Sequence, residues 1–515
     1  MSAKTRNALG REIPACIEGY GPTIPWTGLE GRRPAGRRRG RIFRPGGKSG
    51  KVLRSLEDAV AASGLQSGMT ISFHHHLRNG DHVINAVLEV CARMGIRDLT
   101  LFPTALFPVH EPLLNHIRSG VIRKIMGSVN GALGRMISRG GMEAPVVLRS
   151  HGGRPRAIMS GEAPVDVAFI AAPAADRFGN LSGQTGKSAC GPLGYARTDA
   201  EYADCVVGVT DNLLPGLLVP ASISQVYTDF VVEIPSIGDP KGIVSGSTAV
   251  TKDPLHLMIA RYAAGVIETS PLFREGISFQ TGASGTALAV TSFMREAMLR
   301  RGIRGSFGLG GITGFFVNLL EEGLLTHLLD VQSFDAAAVE SLARNPGHGE
   351  ISADEYANPW NAGAAVNMLD VVVLGATEID RNFNVNVNTE SDGMLLHGIG
   401  GHQDTAAGAA LTIVAQPLTR GRVPCVVENV HCVTTPGEAI DVLVTEYGAT
   451  INPRRQDLLE CIKEARDVPV VSMDELIEKA LRISGPMDPL ETEERIVAVL
   501  EWRDGSVLDV IRQVK

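Results

Sequence analysis

From residue 52 onward, short apolar runs alternate with segments that carry a helical stripe, the rhythm of βα units. The runs at 69–73 (MTISF), 99–103 (LTLFP), 123–129, 145–150, 166–172 (DVAFIAA), 204–210 and 230–234 are expected to be strands. Between the first two, apolar residues at 83, 84, 87, 88, 90 and 91 lie on one helical face, and Gly95 is placed to end the helix. Residues 235–254 are rich in Pro, Gly and Ser and read as a connection between domains. A second series follows, with a helix over 256–267 and strands or strand ends at 277–282, 305–310, 369–379, 424–430 and 439–446. A helix is expected over 457–467, while 494–502 fits neither period. The expectation is therefore an α/β protein with one domain over 52–240 and another over 241–515. The halves could be a duplicated fold, although no short repeat is visible.

Composition narrows the class. At 515 residues the chain exceeds one ordinary core, and 44% apolar with 20% charged residues is globular. A net charge of −7 argues against nucleic acid as a partner. The seven cysteines are scattered without a CxxC, which argues against a zinc site or disulfide framework and fits a reducing compartment. No run approaches the ~18–20 apolar residues of a membrane span, and the first residues lack the apolar core of a secretion signal. A cytoplasmic protein free of the membrane is expected. One local exception is 31–51, with nine Lys or Arg and no acid. Residues 1–51 are expected to be a basic, flexible N-terminal arm. A dock for an acidic partner is the sharper alternative.

Four segments set glycines or small residues beside an expected strand end: 150–156 (SHGGRPR), 280–287 (QTGASGTA), 308–314 (GLGGITG) and 397–404 (HGIGGHQD). Ligands of α/β folds sit at strand ends, and glycine turns let main-chain N–H groups approach anions and oxyanions. Two look-alikes fail. LSGQTGKS has Leu181 where a P-loop needs its first glycine, and Gly191-Pro192 interrupts the helix that must follow. GLGGIT and GIGGHQ lack the third glycine of a dinucleotide fingerprint. FHHHLRNGDH (73–82) tempts a metal reading, since His74 and His76 could share a face, but no further acid or Cys cluster completes a ligand set. Arg78 and Arg154 are the candidate carboxylate grips, because a guanidinium fork matches a carboxylate bidentately.

These segments resemble the CoA-transferase superfamily. VDVAFIAAPAADRFGNLSG (165–183), GISFQTGASGTALAV (276–290, with Thr286-Ala287 where proline is usual), GIGGHQD and DVLVTEYGAT (441–450) are similar to its conserved blocks. SFHHHLRNGD, SHGGRP, TGKSACGPLGYA, FGLGGITG and LLDVQSFD, in that order, resemble the alpha chains of citrate lyases over about 52–513. The resemblance implies two tandem three-layer α/β domains of the CoA-transferase (NagB/RpiA) type with the active site between them. It implies exchange of the acetyl group on a carrier-protein thiol for citrate, releasing acetate. Its implied partners are a gamma chain (an acyl carrier protein with a phosphoribosyl-dephospho-CoA arm), a beta chain that cleaves the citryl thioester, and further copies of the chain in a larger complex.

Many members of the superfamily carry an acceptor glutamate. Over the aligned stretch 308–325 the first acids are Glu321 and Glu322, at a helix end. The expectation is direct attack of a citrate carboxylate on the acetyl thioester through a mixed anhydride, with no acyl-enzyme and no metal. Glu390 in NTESDG is the rival nucleophile. Arg78, His75 and Arg154 are expected to hold citrate. Gly398, Gly400, Gly401, His402, Gln403 and Asp404, facing Gly282 and Gly285, are expected to form the pocket for the carrier arm. Alternatives are a citramalate lyase alpha chain, a stand-alone acyl-CoA transferase or hydrolase using Glu390, and a non-catalytic scaffold.

Overall fold

The computed structural model describes residues 3–29, 50–244, 249–463, 467–486 and 490–515. Two large sheets dominate it. The first has seven parallel strands, in the spatial order Val52–Leu53, Phe230–Glu233, Cys205–Thr210, Val167–Ala172, Thr70–Phe73, Leu99–Pro103, Ile122–Ile125. Its central strand, VAFIAA, is buried at every position, as an unbroken apolar run covered on both faces must be. The second sheet has eight strands, in the order His348–Glu350, Leu325–Ser333, Gly305–Ile312, Phe279–Thr281, Val371–Leu374, Leu411–Ala415, Val442–Thr445, Gly448–Ile451. Only the last of these runs antiparallel.

The halves are duplicates. Each carries a three-stranded side sheet after its central strand, and each side sheet is built on the same aspartate turn. Asp176 accepts from the N–H groups of Phe178 and Asn180 and from the Asn180 amide, and Asp380 does the same for Asn382 and Asn384. The motif D-R-x-x-N therefore recurs as Asp176–Asn180 and Asp380–Asn384, a repeat too short to stand out in the sequence.

One expectation needs correction, and one open segment is resolved. Residues 3–29 are not a loose arm: they form four short strands against the C-terminal hairpin. Trp26 is buried edge-on to Trp502 at 5.9 Å, and Asn7 donates to the Leu508 carbonyl at 2.5 Å. The arginine-rich run falls almost wholly outside the described residues. The segment 494–502 is a strand, Thr492–Glu501, paired with Val507–Val514 and in parallel with Val146–Leu148. The chain thus returns at its end to the first half, and 145–150 pairs there rather than in the main sheet. Leu325–Ser333 and Leu411–Ala415 are strands that the apolar pattern did not single out. Among the described residues no helix is long and apolar enough to cross a membrane.

Candidate active site at the junction of the halves

The strand Thr70–Phe73 runs into three consecutive histidines, which part to opposite sides as successive residues of an extended chain do. His74 and His76 turn inward, where their Nε2 atoms meet the carbonyls of Ala171 at 3.0 Å and Ile237 at 3.1 Å. Burial holds His74 neutral, with a pKa of about 3. His76 and His110 share the buried Asp81, at 3.7 and 3.3 Å. These groups serve the interior. Among the described residues no three His, Cys, Asp or Glu side chains are placed to hold a metal ion. His75 stays at the junction: its carbonyl accepts from Gln332 Nε2 of the second half at 2.9 Å.

Arg78 has the left-handed backbone angle φ 56°, which costs a non-glycine residue about 1–2 kcal/mol. The inter-domain connection holds it there. Asp239 donates to the Gly80 carbonyl at 2.8 Å, and a Cβ on Gly80 would come within 2.0 Å of the Asp239 carbonyl oxygen. The guanidinium lies between the rings of Phe107, 4.9 Å away, and Phe334, 5.0 Å away, one from each half. Among the described residues no carboxylate pairs with it. Burial lowers its pKa to about 10, so the cation persists at neutral pH. A half-buried cation without a carboxylate partner among the described residues is placed to receive an anion.

Arg154, the other expected grip, is committed elsewhere. Its guanidinium pairs with Asp199 at 3.0 Å, donates to the Phe102 carbonyl and covers the Phe102 ring. Burial raises Asp199 to a pKa of about 6, against the pull of Arg154. A carboxyl whose pKa is raised on folding adds stability below its unfolded value, near 3.8, and that stability is lost as pH rises through about 6. Asp199→Asn removes the effect. From pH 4 to 6, urea unfolding should show variant stability rising relative to wild type by up to about 1.4 kcal/mol per pH unit. Parallel pH profiles would contradict the assignment.

Beside Arg78 lies a cluster of rings. His75 is 5.0 Å from Tyr195 and 6.2 Å from His151, and the Tyr195 hydroxyl meets His151 Nδ1 at 2.6 Å. Burial, reinforced by Arg78 and Arg154, lowers the His151 pKa to about 3. The His151 N–H donates to the Gly400 carbonyl at 2.9 Å, which joins the two expected glycine segments across the junction. Gly400 itself has φ 63°.

The expected carrier-arm residues divide. Gly282 and His402 line a cavity of about 510 Å³ with Ser284, Thr286, His397 and Arg420. A Cβ on Gly282 would meet only Ala287, at 3.9 Å, so the cavity wall there is bare backbone. Gly285 faces Thr251, Gly398 faces Ser128 and Gly401 faces the Tyr356 hydroxyl. Those three glycines permit protein packing rather than ligand approach. Gln403 is buried and donates to the carbonyls of Thr434 and Glu501. Asp404 is buried too, accepting from Ser150 Oγ and Gly152 N at 2.9 Å each and facing Arg503 at 3.5 Å. It locks the 150–153 turn to the second half and is not a pocket lining. No regular strand leads directly into 397–404; the segment runs into the helix His402–Gly408. Glu390 is exposed, in a turn closed by the Gly393 N–H on its carbonyl, away from the ring cluster's contacts. His151, Tyr195, Gln332, Phe334 and Arg503 were not singled out by their chemistry.

The chain was compared with known proteins. The family model "Citrate lyase, alpha subunit (CitF)" matches residues 49–514. The citrate lyase alpha chain of Klebsiella pneumoniae is 53% identical over 466 residues, which is 90% of this chain and 92% of that one. That of Escherichia coli (strain K12) is 50% identical over 466 residues, 90% and 91% of the two chains. A Streptococcus mutans protein described as the alpha subunit of citrate lyase, solved in complex with citrate, superposes with a TM-score of 0.94. The two are 48% identical, and the match covers 99% of this chain and 100% of that one. A Pseudomonas malonate decarboxylase hetero-tetramer shares the fold at a TM-score of 0.64 and 16% identity, over 84% of this chain and 86% of its own.

Proposed function

Because the chain belongs to the citrate lyase alpha-subunit family, we propose that it exchanges the acetyl group of a carrier thioester for citrate, giving citryl thioester and acetate. It is a transferase with the CoA-transferase-like fold. The observation that carries the reading is Arg78, a cation clamped between two rings at the junction with no carboxylate of its own among the described residues. A citrate carboxylate would supply the missing partner.

One citrate carboxylate oxygen attacks the acetyl carbonyl, the C–S bond breaks, and a citric–acetic anhydride forms. The released thiolate then attacks the citryl carbonyl, and acetate leaves with the bridging oxygen. No side chain is acylated. What the protein must do is hold two acyl groups together and meet the oxyanions with donors. Orientation is worth roughly 7–11 kcal/mol and each oxyanion donor about 3–4 kcal/mol.

The phosphoribosyl-dephospho-CoA arm of a gamma-chain carrier protein would enter the cavity at Gly282, whose bare backbone leaves room for it, with Arg420 and His402 as polar neighbours. When bound, that arm supplies the thiol that carries the acyl group. A beta chain would take the citryl thioester onward, within a cytoplasmic complex that holds several copies of this chain.

The test mixes purified chain with acetyl-CoA and citrate. Citryl-CoA with stoichiometric acetate is expected, and citramalate should serve poorly. Free CoA alone would mark a hydrolase, and no turnover would mark a scaffold.

A further inference from the structure

The hydrogen bonds of the ring cluster fix where its protons lie. The Tyr195 hydroxyl, 2.6 Å from His151 Nδ1, has no other acceptor among the described residues, so its hydrogen goes to Nδ1. His151 must then carry its own proton on Nε2, an atom without a partner among the described residues. The same logic holds next door. Thr104 Oγ1 accepts the backbone N–H of His75 at 3.0 Å and also contacts His75 Nδ1. Its single hydrogen has no other acceptor among the described residues, so His75 is likewise an Nε2–H tautomer.

We propose that His151 and His75 are neutral hydrogen-bond donors to the substrate carboxylate and its tetrahedral oxyanion beside Arg78. Tyr195 and Thr104 are positioning residues that set their tautomers. Neither imidazole transfers a proton in this role. Burial agrees with it, since it keeps both rings neutral across the physiological range. Neutral donors suit a reaction between a carboxylate and a thioester, which has no net proton to move.

The inference rests on reading the junction as the site of citrate transfer, and wild-type turnover of acetyl-CoA and citrate tests that reading separately. Given turnover, the donor role is read from three variants of the full chain. His151→Leu, which removes the donor, should lower kcat by 10²–10³-fold. His151→Gln keeps an N–H near the Nε2 position and should recover to within about tenfold of wild type, with an unchanged pH profile. Tyr195→Phe should lower kcat by 10-fold or more while leaving the citrate KM within about threefold, because it releases the tautomer and not the binding cation. Equal inactivity of His151→Gln and His151→Leu, both folded by circular dichroism and thermal melting, would overturn the proposal in favour of proton transfer. So would a Tyr195→Phe variant with wild-type kcat.

Discussion

Arg78→Ala should lower kcat/KM for citrate by roughly 30- to 1,000-fold while leaving acetyl-CoA binding close to wild type. The guanidinium is half-buried, stacked between Phe107 and Phe334, and unpaired among the described residues. A desolvated, charge-assisted carboxylate pair is worth about 2–4 kcal/mol, which is roughly 30- to 1,000-fold at 1.4 kcal/mol per decade. Because the contact is made in the Michaelis complex and kept afterwards, much of the loss should appear as a raised citrate KM. Arg78→Lys keeps the charge but loses the planar fork and its stacking, so it should recover no more than about tenfold. Stability should not fall in parallel. Alanine removes a half-buried charge that has no carboxylate partner among the described residues, and the positive φ is no worse for it than for arginine. Initial rates over a citrate series, with calorimetric titration of citrate, check this. A variant with wild-type kcat/KM would remove Arg78 from the site.

The second large effect is on stability. Asp404→Ala should cost about 3–5 kcal/mol by urea unfolding. Three groups depend on that carboxylate: Ser150 Oγ, the Gly152 N–H and Arg503. All lie in the interior, where a guanidinium left with only the Ala357 carbonyl and donors left unmatched carry a large desolvation cost. Burial raises the Asp404 pKa against the pull of Arg503 and of the hydrogen bonds from Gly152 and Ser150. Asp404→Asn keeps the size and one acceptor and should lose about half as much. Gly152 leaves little slack, since a Cβ there would come within 2.0 Å of the Ala357 carbonyl oxygen. The turn 150–153 carries His151, so Asp404→Ala should also depress turnover in the fraction that remains folded. A loss under 1 kcal/mol would mean that the contact between the halves does not depend on this carboxylate.

How much of this was legible in the chain depends on the range of the interactions. Runs buried on both faces, such as Val167–Ala172, announce themselves as strands, and the stripe over Val83–Arg93 announces a helix. Thr492–Glu501 is exposed over its first half and buried on both faces over its second, so it has no period, and its parallel partner lies at 146–148. The three histidines and Arg78 drew attention as a local cluster of chemistry. The pairing of His151 with Tyr195 spans 44 residues of sequence and that of Asp404 with Ser150 spans 254. No local pattern encodes contacts of that length. Glycine was legible as close approach but not as approach to what: Gly398, Gly401 and Gly285 turn out to admit Ser128, Tyr356 and Thr251, while Gly282 opens on a cavity. Arg154 matched Arg78 in type. Asp199, 45 positions further on, takes it out of contention.

The most direct test of transfer without acylation of the chain is a single turnover with the citrate carboxylates labelled by oxygen-18, with chain in excess over acetyl-CoA. In direct transfer the attacking citrate oxygen stays on the acetyl carbon when the anhydride opens, so the first acetate released should carry one labelled oxygen. A route through a side-chain carboxylate gives unlabelled acetate in that turnover and leaves the label on an acidic residue such as Glu390. Unlabelled acetate together with a labelled glutamate or aspartate would contradict direct transfer.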